Sequence, residues 1–160
     1  RNVGVGEKDG ELAFSNFDNN AINYVQENEN NKSILKVRVQ TLNNLLNGKS
    51  PKVIKIDVEG YELFTLKGAN EVLMNPDLEV IIIEINGHCR RYGNTEEEVF
   101  KFIASFGFKP VYYNSFTKKI NLLNNYNHDS DSTIFIRDLK AATFRVKRGE
   151  KIRIWKNLYI

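Results

Sequence analysis

A single cysteine, Cys89, stands among the 160 residues. One thiol forms no internal disulfide, and this favours a reducing, cytoplasmic setting. One cysteine and two histidines also lack the ligands and spacing of a structural zinc site. His88 and Cys89 are adjacent, and sequence neighbours rarely face each other as a nucleophile and its base. Long apolar runs are missing as well. The longest, Val80-Ile81-Ile82-Ile83, is far short of the roughly 20 residues that cross a bilayer, so no membrane span is expected. Arg1-Asn2-Val3-Gly4 opens without the apolar core of a signal peptide. Charge of one sign is scarce: 23 basic against 20 acidic residues leave +3. The chain as a whole is no strong polyanion binder, and nucleic acid is not the expected partner. No internal repeat is visible, and the many asparagines are compositional bias.

What is present suits one α/β domain. Hydrophobic residues make up 41% and charged residues 27%, enough for a buried core. Asn2–Val5 and Leu12–Phe14, joined through Asp9-Gly10, predict a β-hairpin. Gly4-Val5-Gly6 is no nucleotide loop on this reading, because a hairpin and not a helix follows it. Residues 18–33 are polar loop. Leu35–Gln40 alternates as a half-buried strand, and Thr41 caps a short helix through Leu42, Leu45 and Leu46 that Asn47-Gly48 ends. Tyr61–Met74 is helical in pattern with a break at Gly68 and a stop at Asn75-Pro76. Thr95 with Glu98 is a capping box, followed by Val99, Phe102, Ile103 and Phe106 on one helix face; Gly107 ends it. Pro110–Tyr113 and Thr133–Ile136 are strands suited to antiparallel pairing at the sheet edge.

The informative stretch is Val53-Ile54-Lys55-Ile56-Asp57-Val58-Glu59-Gly60-Tyr61-Glu62. It reads as a strand buried on both faces that ends in carboxylates and a glycine turn. Leu78–Ile85 is a second buried strand, so the intervening helices complete a parallel βαβ unit. Asp57 and Glu59 close one strand and Glu84 the other. Neighbouring strands lie about 4.8 Å apart, so the three carboxylates converge at the carboxyl rim, where open α/β sheets bind ligands. Such a cluster suits a general base, a divalent cation such as Mg²⁺, or hydrogen bonds to a polyhydroxylated substrate. Asn86 and His88 follow in the next loop. Structural roles compete with each: Glu59 or Glu62 as a helix cap, Tyr61 as core, Glu84 on backbone amides, His88 as a satisfied loop histidine.

The order Lys55-Ile56-Asp57-Val58-Glu59-Gly60, Glu62, Leu66-Lys67-Gly68-Ala69 and Ile81–Ile85 with Glu84 resembles the signature of the FkbM family of S-adenosylmethionine-dependent methyltransferases. Weaker similarity extends over about residues 1–138. Two departures are visible. Asn43 stands where the family often has aspartate, and the family's first strand and glycine loop precede anything in these residues. The resemblance implies a Rossmann-like class I methyltransferase sheet, mostly parallel with antiparallel edge strands and with its N-terminal strands missing. The open side of the Val53 strand would then be filled by further chain, by a second copy (a homodimer through the exposed edge), or by Leu35–Gln40. It implies an O-methyltransferase using S-adenosylmethionine on a hydroxyl of a sugar, glycan or other small molecule, this portion alone being inactive. Asp57, Glu59 and Glu84 would be catalytic, with Asp57 nearest the reacting centre and the sulfonium. Tyr61, Asn86 and His88 would bind the acceptor.

Residues 139–160 form a separate basic extension, with one acid, Glu150, among seven cations. Phe144–Lys147 and Lys151–Trp155 predict a β-hairpin around Arg148-Gly149, either a solvated edge or a contact to an anion. Two alternatives to the small-molecule enzyme stand beside it: a catalytically inactive α/β binding module, and an RNA or DNA methyltransferase using the basic hairpin.

Overall fold

A computed structural model describes residues 2–16, 23–26 and 34–150, and the backbone of 153–155 and 158–159. Most of the segment read as polar loop lies outside the described residues. The strands are β1 (Gly4–Val5), β2 (Gly10–Ser15), β3 (Ile34–Gln40), β4 (Val53–Ile56), β5 (Val80–Glu84), β6 (Lys109–Asn114), β7 (Lys119–Leu122), β8 (Ser132–Ile136), β9 (Arg153–Trp155) and β10 (Leu158–Tyr159). The helices are α1 (Leu42–Leu46), α2 (Glu62–Lys67), α3 (Asn70–Met74), α4 (Glu96–Ser105) and α5 (Leu139–Arg148). A 3-10 turn spans His88–Tyr92.

The main sheet has the order β4-β5-β8-β6-β7. β4 and β5 pair in parallel, Val53 opposite Val80 through Ile56 opposite Ile83. β8 then inserts antiparallel between β5 and β6, and β7 pairs antiparallel with β6. β4, β5 and β6 therefore point one way, β8 and β7 the other. This corrects the mostly parallel sheet with antiparallel strands confined to its edges: the sheet is mixed, and an opposed strand lies in its interior. The chain reaches that slot because β7 extends the hairpin outward before β8 returns. The antiparallel pairing of β6 with β8 is as the sequence implied.

Alternation along β5 divides the core. Ile81 and Ile83, with Phe135 of β8, turn to the side covered by Leu66, Leu73, Val99 and Ile103 of α2, α3 and α4. Val80 and Ile136 turn the other way, and border a crevice with Ala141, Ala142 and Arg145 of α5. β4 is not buried on both faces. It is the sheet's edge strand, with Val53 52% exposed. Leu35–Gln40 does not fill that edge, because β3 belongs to a second sheet of order β1-β3-β2.

In that second sheet β1 runs parallel to β3 and β2 antiparallel to it on the other side. The expected hairpin of β1 with β2 therefore does not form. β3 satisfies both, and the Gly6 amide extends the β1 pairing to the Gln40 carbonyl at 3.2 Å. The helix signals hold. Thr41 Oγ1 accepts from the Asn44 amide at 3.1 Å, the Thr95/Glu98 box closes reciprocally, and the helical stretch after Tyr61 breaks between α2 and α3 at Gly68. A Cβ on Gly68 would lie 2.1 Å from the Gly6 carbonyl oxygen, so only glycine lets the β1 loop seat on that break. Phe144–Lys147 is helix and not strand. Asp138 accepts from the Ala141 amide at 2.9 Å and starts α5, and Leu139-Lys140-Ala141-Ala142 are good helix formers. The small antiparallel pair in the tail is β9 with β10.

Arg137 holds three elements together. Its guanidinium donates to the carbonyls of Leu78 at 2.9 Å, Phe106 at 3.0 Å, Leu73 at 2.6 Å and Asn75 at 3.3 Å. It thereby satisfies the open carbonyl ends of α3 and α4, and it stacks over Phe108 at 4.2 Å. Arg137→Ala removes the guanidinium from the Leu73, Leu78 and Phe106 carbonyls, while Asn75 keeps the Leu78 amide, and is expected to cost about 2–4 kcal/mol in denaturant unfolding. A loss below about 1 kcal/mol would mean that water replaces the guanidinium freely.

Candidate functional site

The carboxyl ends of β4 and β5 lie side by side because the strands are parallel and in register. Asp57 and Glu59 follow β4 and Glu84 ends β5. The structure brings the three carboxylates together: one oxygen from each lies within 4.8 Å of the others.

The backbone makes this possible through two successive left-handed residues, Glu59 (φ 53) and Gly60 (φ 101). The turn they form folds Glu59 back over the rim. His88 Nδ1 then stands 3.1 Å from Glu59 Oε2 and 3.2 Å from Asn86 Nδ2. The proton on that ring nitrogen decides which of the two it bonds. Asn86 Oδ1 accepts from the His88 amide at 3.2 Å, which fixes the loop. Glu62 turns inward instead. Its carboxylate is buried and accepts from the Gly60 amide at 3.0 Å, and burial pushes its pKa up. It braces the turn and does not face the cluster's solvent side.

The two facing carboxylates are driven apart in basicity. The Lys55 ammonium, 2.5 Å from Asp57 Oδ2, lowers the Asp57 pKa. Burial, and then the neighbouring Asp57, raise that of Glu84. Asp57 is the fixed anion and Glu84 the more basic group. Three carboxylates at this spacing could also meet a divalent cation. Here Lys55 already supplies a cation to Asp57, and His88 a ring nitrogen to Glu59, so Mg²⁺ gains no support.

A cavity of about 460 Å³ opens against the cluster. Asp57, Val58, Glu59 and Tyr61 form one wall. Val3, Gly4, Val5, Phe14, Asn23 and Val25 form the other. The segment around Val25 is held there by the 3-10 turn. Tyr92 Oη donates to the Val25 carbonyl at 2.9 Å, and Arg91 stacks over Tyr24 at 3.8 Å while donating to the Glu59 carbonyl at 3.2 Å. Tyr61 both lines the cavity and stacks on Phe64, with ring centroids 4.5 Å apart. Asn86 borders a separate polar recess with Tyr126, Asn127 and His128.

Of the residues singled out from sequence, Asp57, Glu59 and Tyr61 line the cavity; Glu84 adjoins Asp57 and His88 bonds to Glu59, and neither lines it. The opposite wall was missed. Those residues come from β1, β2 and the loop at Asn23 and Val25; β1 and β2 are placed by pairing with β3, and Val25 by its bridge to Phe14, partnerships that no local pattern reveals. The Tyr92 hydroxyl is also a missed contributor, without any motif to mark it.

No curated protein and no solved structure matches the chain. The model of the methyltransferase FkbM domain matches residues 3–110, a span that includes both carboxylate-bearing strand ends and both cavity walls. The chain belongs to the FkbM methyltransferase-domain family.

Proposed function

We propose that this methyltransferase is an O-methyltransferase whose acceptor is a hydroxyl of a sugar, glycan or similar small molecule. The observation that carries the reading is the meeting of Asp57, Glu59 and Glu84 beside a cavity of about 460 Å³, with Asp57 and Glu59 in its wall. Clustered carboxylates of unequal basicity suit a substrate rich in hydroxyls, one of which must lose its proton.

The family implies S-adenosylmethionine, which supplies an electrophilic methyl group. The described residues do not make up its seat. Gly4-Val5-Gly6 leads into a turn and β2, not a helix N-terminus. A Cβ on Gly6 would meet Val39 at 3.0 Å, so the absent side chain makes room for protein. These residues account for the acceptor side. Glu84 receives the hydroxyl proton. Asp57, kept ionised by Lys55, fixes a neighbouring hydroxyl, and Glu59 with His88 holds another. Sequence put Asp57 nearest the reacting centre, as general base or orienter; on this reading it is the orienter, and Glu84, the more basic of the two, is the base.

Residues 1–138 are read as the methyltransferase portion and 139–160 as an extension. The unpaired edge of β4 is a natural place for a second copy or for further chain. The buried single thiol of Cys89 and the nature of the donor favour a cytoplasmic location. Among the described residues no helix is long and apolar enough to cross a membrane.

Because this portion alone is expected to be inactive, incubation of the full gene product with methyl-labelled S-adenosylmethionine and a panel of sugars and glycolipid precursors tests the reading. Label is expected in a base-stable ether. Label in a base-labile ester, or on nitrogen, would assign another acceptor class; no transfer to any hydroxyl would favour a binding module.

A further inference from the structure

α5 turns one stripe to solvent that the methyl-transfer reading does not use. Lys140, Phe144, Lys147 and Arg148 recur at i, i+4, i+7 and i+8, the spacing of a single helix face. All four are exposed, Phe144 by 59%. The opposite stripe of Leu139, Ala142, Thr143 and Val146 is half-buried. Arg145 is engaged elsewhere, paired with Glu79.

The turn between β6 and β7 comes alongside. Lys118 Nζ donates to the Gly149 carbonyl at 2.6 Å, just past the end of α5. That turn carries Phe116, 67% exposed, and leads to Lys119. The α5 stripe and this neighbouring turn together carry two exposed phenylalanines and five cations, Lys118, Lys119, Lys140, Lys147 and Arg148, with Lys140, Phe144 and Lys147 bordering one apolar hollow. The acids nearest in sequence are Asp138, occupied in capping α5, and Glu150.

Cations alone would suit any polyanion. Exposed phenylalanines beside them are the mark of a water–lipid boundary, where rings enter the headgroup layer and lysines reach acidic lipid. Stacking on nucleic-acid bases would need free ring faces, and the Arg148 guanidinium already lies over Phe144 at 4.9 Å. We propose that α5 and the β6–β7 turn form a docking face for an anionic bilayer, with Phe116 and Phe144 inserting and the five cations holding acidic headgroups. This face takes no part in holding the methyl acceptor.

Sedimentation with phosphatidylcholine vesicles, with and without about 30% phosphatidylserine, tests it. Binding to the acidic vesicles is expected to be at least roughly tenfold tighter and to weaken with salt. Phe116→Ser with Phe144→Ser changes two exposed rings, so far-UV circular dichroism should not move, while acidic-vesicle binding should fall roughly tenfold. Lys147→Glu with Arg148→Glu should abolish the preference for phosphatidylserine. Equal binding to both vesicles, or undiminished binding by the double phenylalanine variant, overturns the proposal. So does tighter binding to polyuridylate that falls with the same phenylalanine changes, which would assign the face to nucleic acid.

Discussion

Glu84→Gln is expected to lower methyl transfer by about 100-fold or more, the usual worth of a positioned general base. Glutamine keeps the size of the side chain and an oxygen at the rim, but it cannot take the acceptor proton. The loss should appear in kcat and not in KM, since acceptor hydroxyls can still bond to Asp57 and Glu59. Wild-type rate should rise with pH as Glu84 ionises, and that limb should vanish in the variant. Stability should move the other way. The folded-state pKa of Glu84 is raised by burial and by Asp57, so its contribution to stability is fullest below the ordinary glutamate range. That contribution declines as pH rises through the elevated value. Glutamine removes the decline, and the variant should be no less stable than wild type at neutral pH. Asp57 has the opposite sign. Its pKa is lowered chiefly by Lys55, so its stabilisation is present above the ordinary aspartate range and fades as pH falls through the lowered value. A full rate in Glu84→Gln alongside a collapsed rate in Asp57→Asn would make Asp57 the base.

The rim was legible in the sequence because everything that builds it is local. Val53–Ile56 and Val80–Glu84 are apolar runs joined by a helical stretch with its own breaks, and parallel pairing then sets Asp57 beside Glu84. The capping box at Thr95 and the stop at Asn75-Pro76 carry their physics within four residues. What was not legible is non-local. β1 and β2 look like a hairpin until β3 arrives some twenty residues later and separates them. β7 is four residues of mixed polarity, too short for a period to stand out. In Phe144-Arg145-Val146-Lys147 the alternation that reads as strand is also compatible with a helix, and the upstream Asp138 cap decides. The second wall of the cavity follows from these same pairings, which is why only half of the site could be named in advance.

Gly60→Ala is expected to be strongly destabilising. Two effects combine there. The residue has φ 101, a conformation that costs a side-chain-bearing residue about 1–2 kcal/mol. The new Cβ would also lie 2.5 Å from the His88 carbonyl oxygen and 2.7 Å from its carbon. Those are backbone atoms at the entry to the 3-10 turn, so they cannot rotate aside. Relief requires pushing the His88 loop off the β4 turn, which separates His88 from Glu59 and loosens the Glu62 bond to the Gly60 amide. A loss of about 4 kcal/mol or more is expected, or a fall of roughly 10 °C in Tm. Gly107→Ala isolates the strain from the clash, because Gly107 has φ 85 and open space around it. It should cost only the 1–2 kcal/mol of the left-handed backbone. The difference between the two variants measures how tightly the carboxylate-bearing turn is pressed against the loop that carries His88. Equal losses in both would mean that the turn is held by its own backbone and that the His88 loop yields to the new methyl.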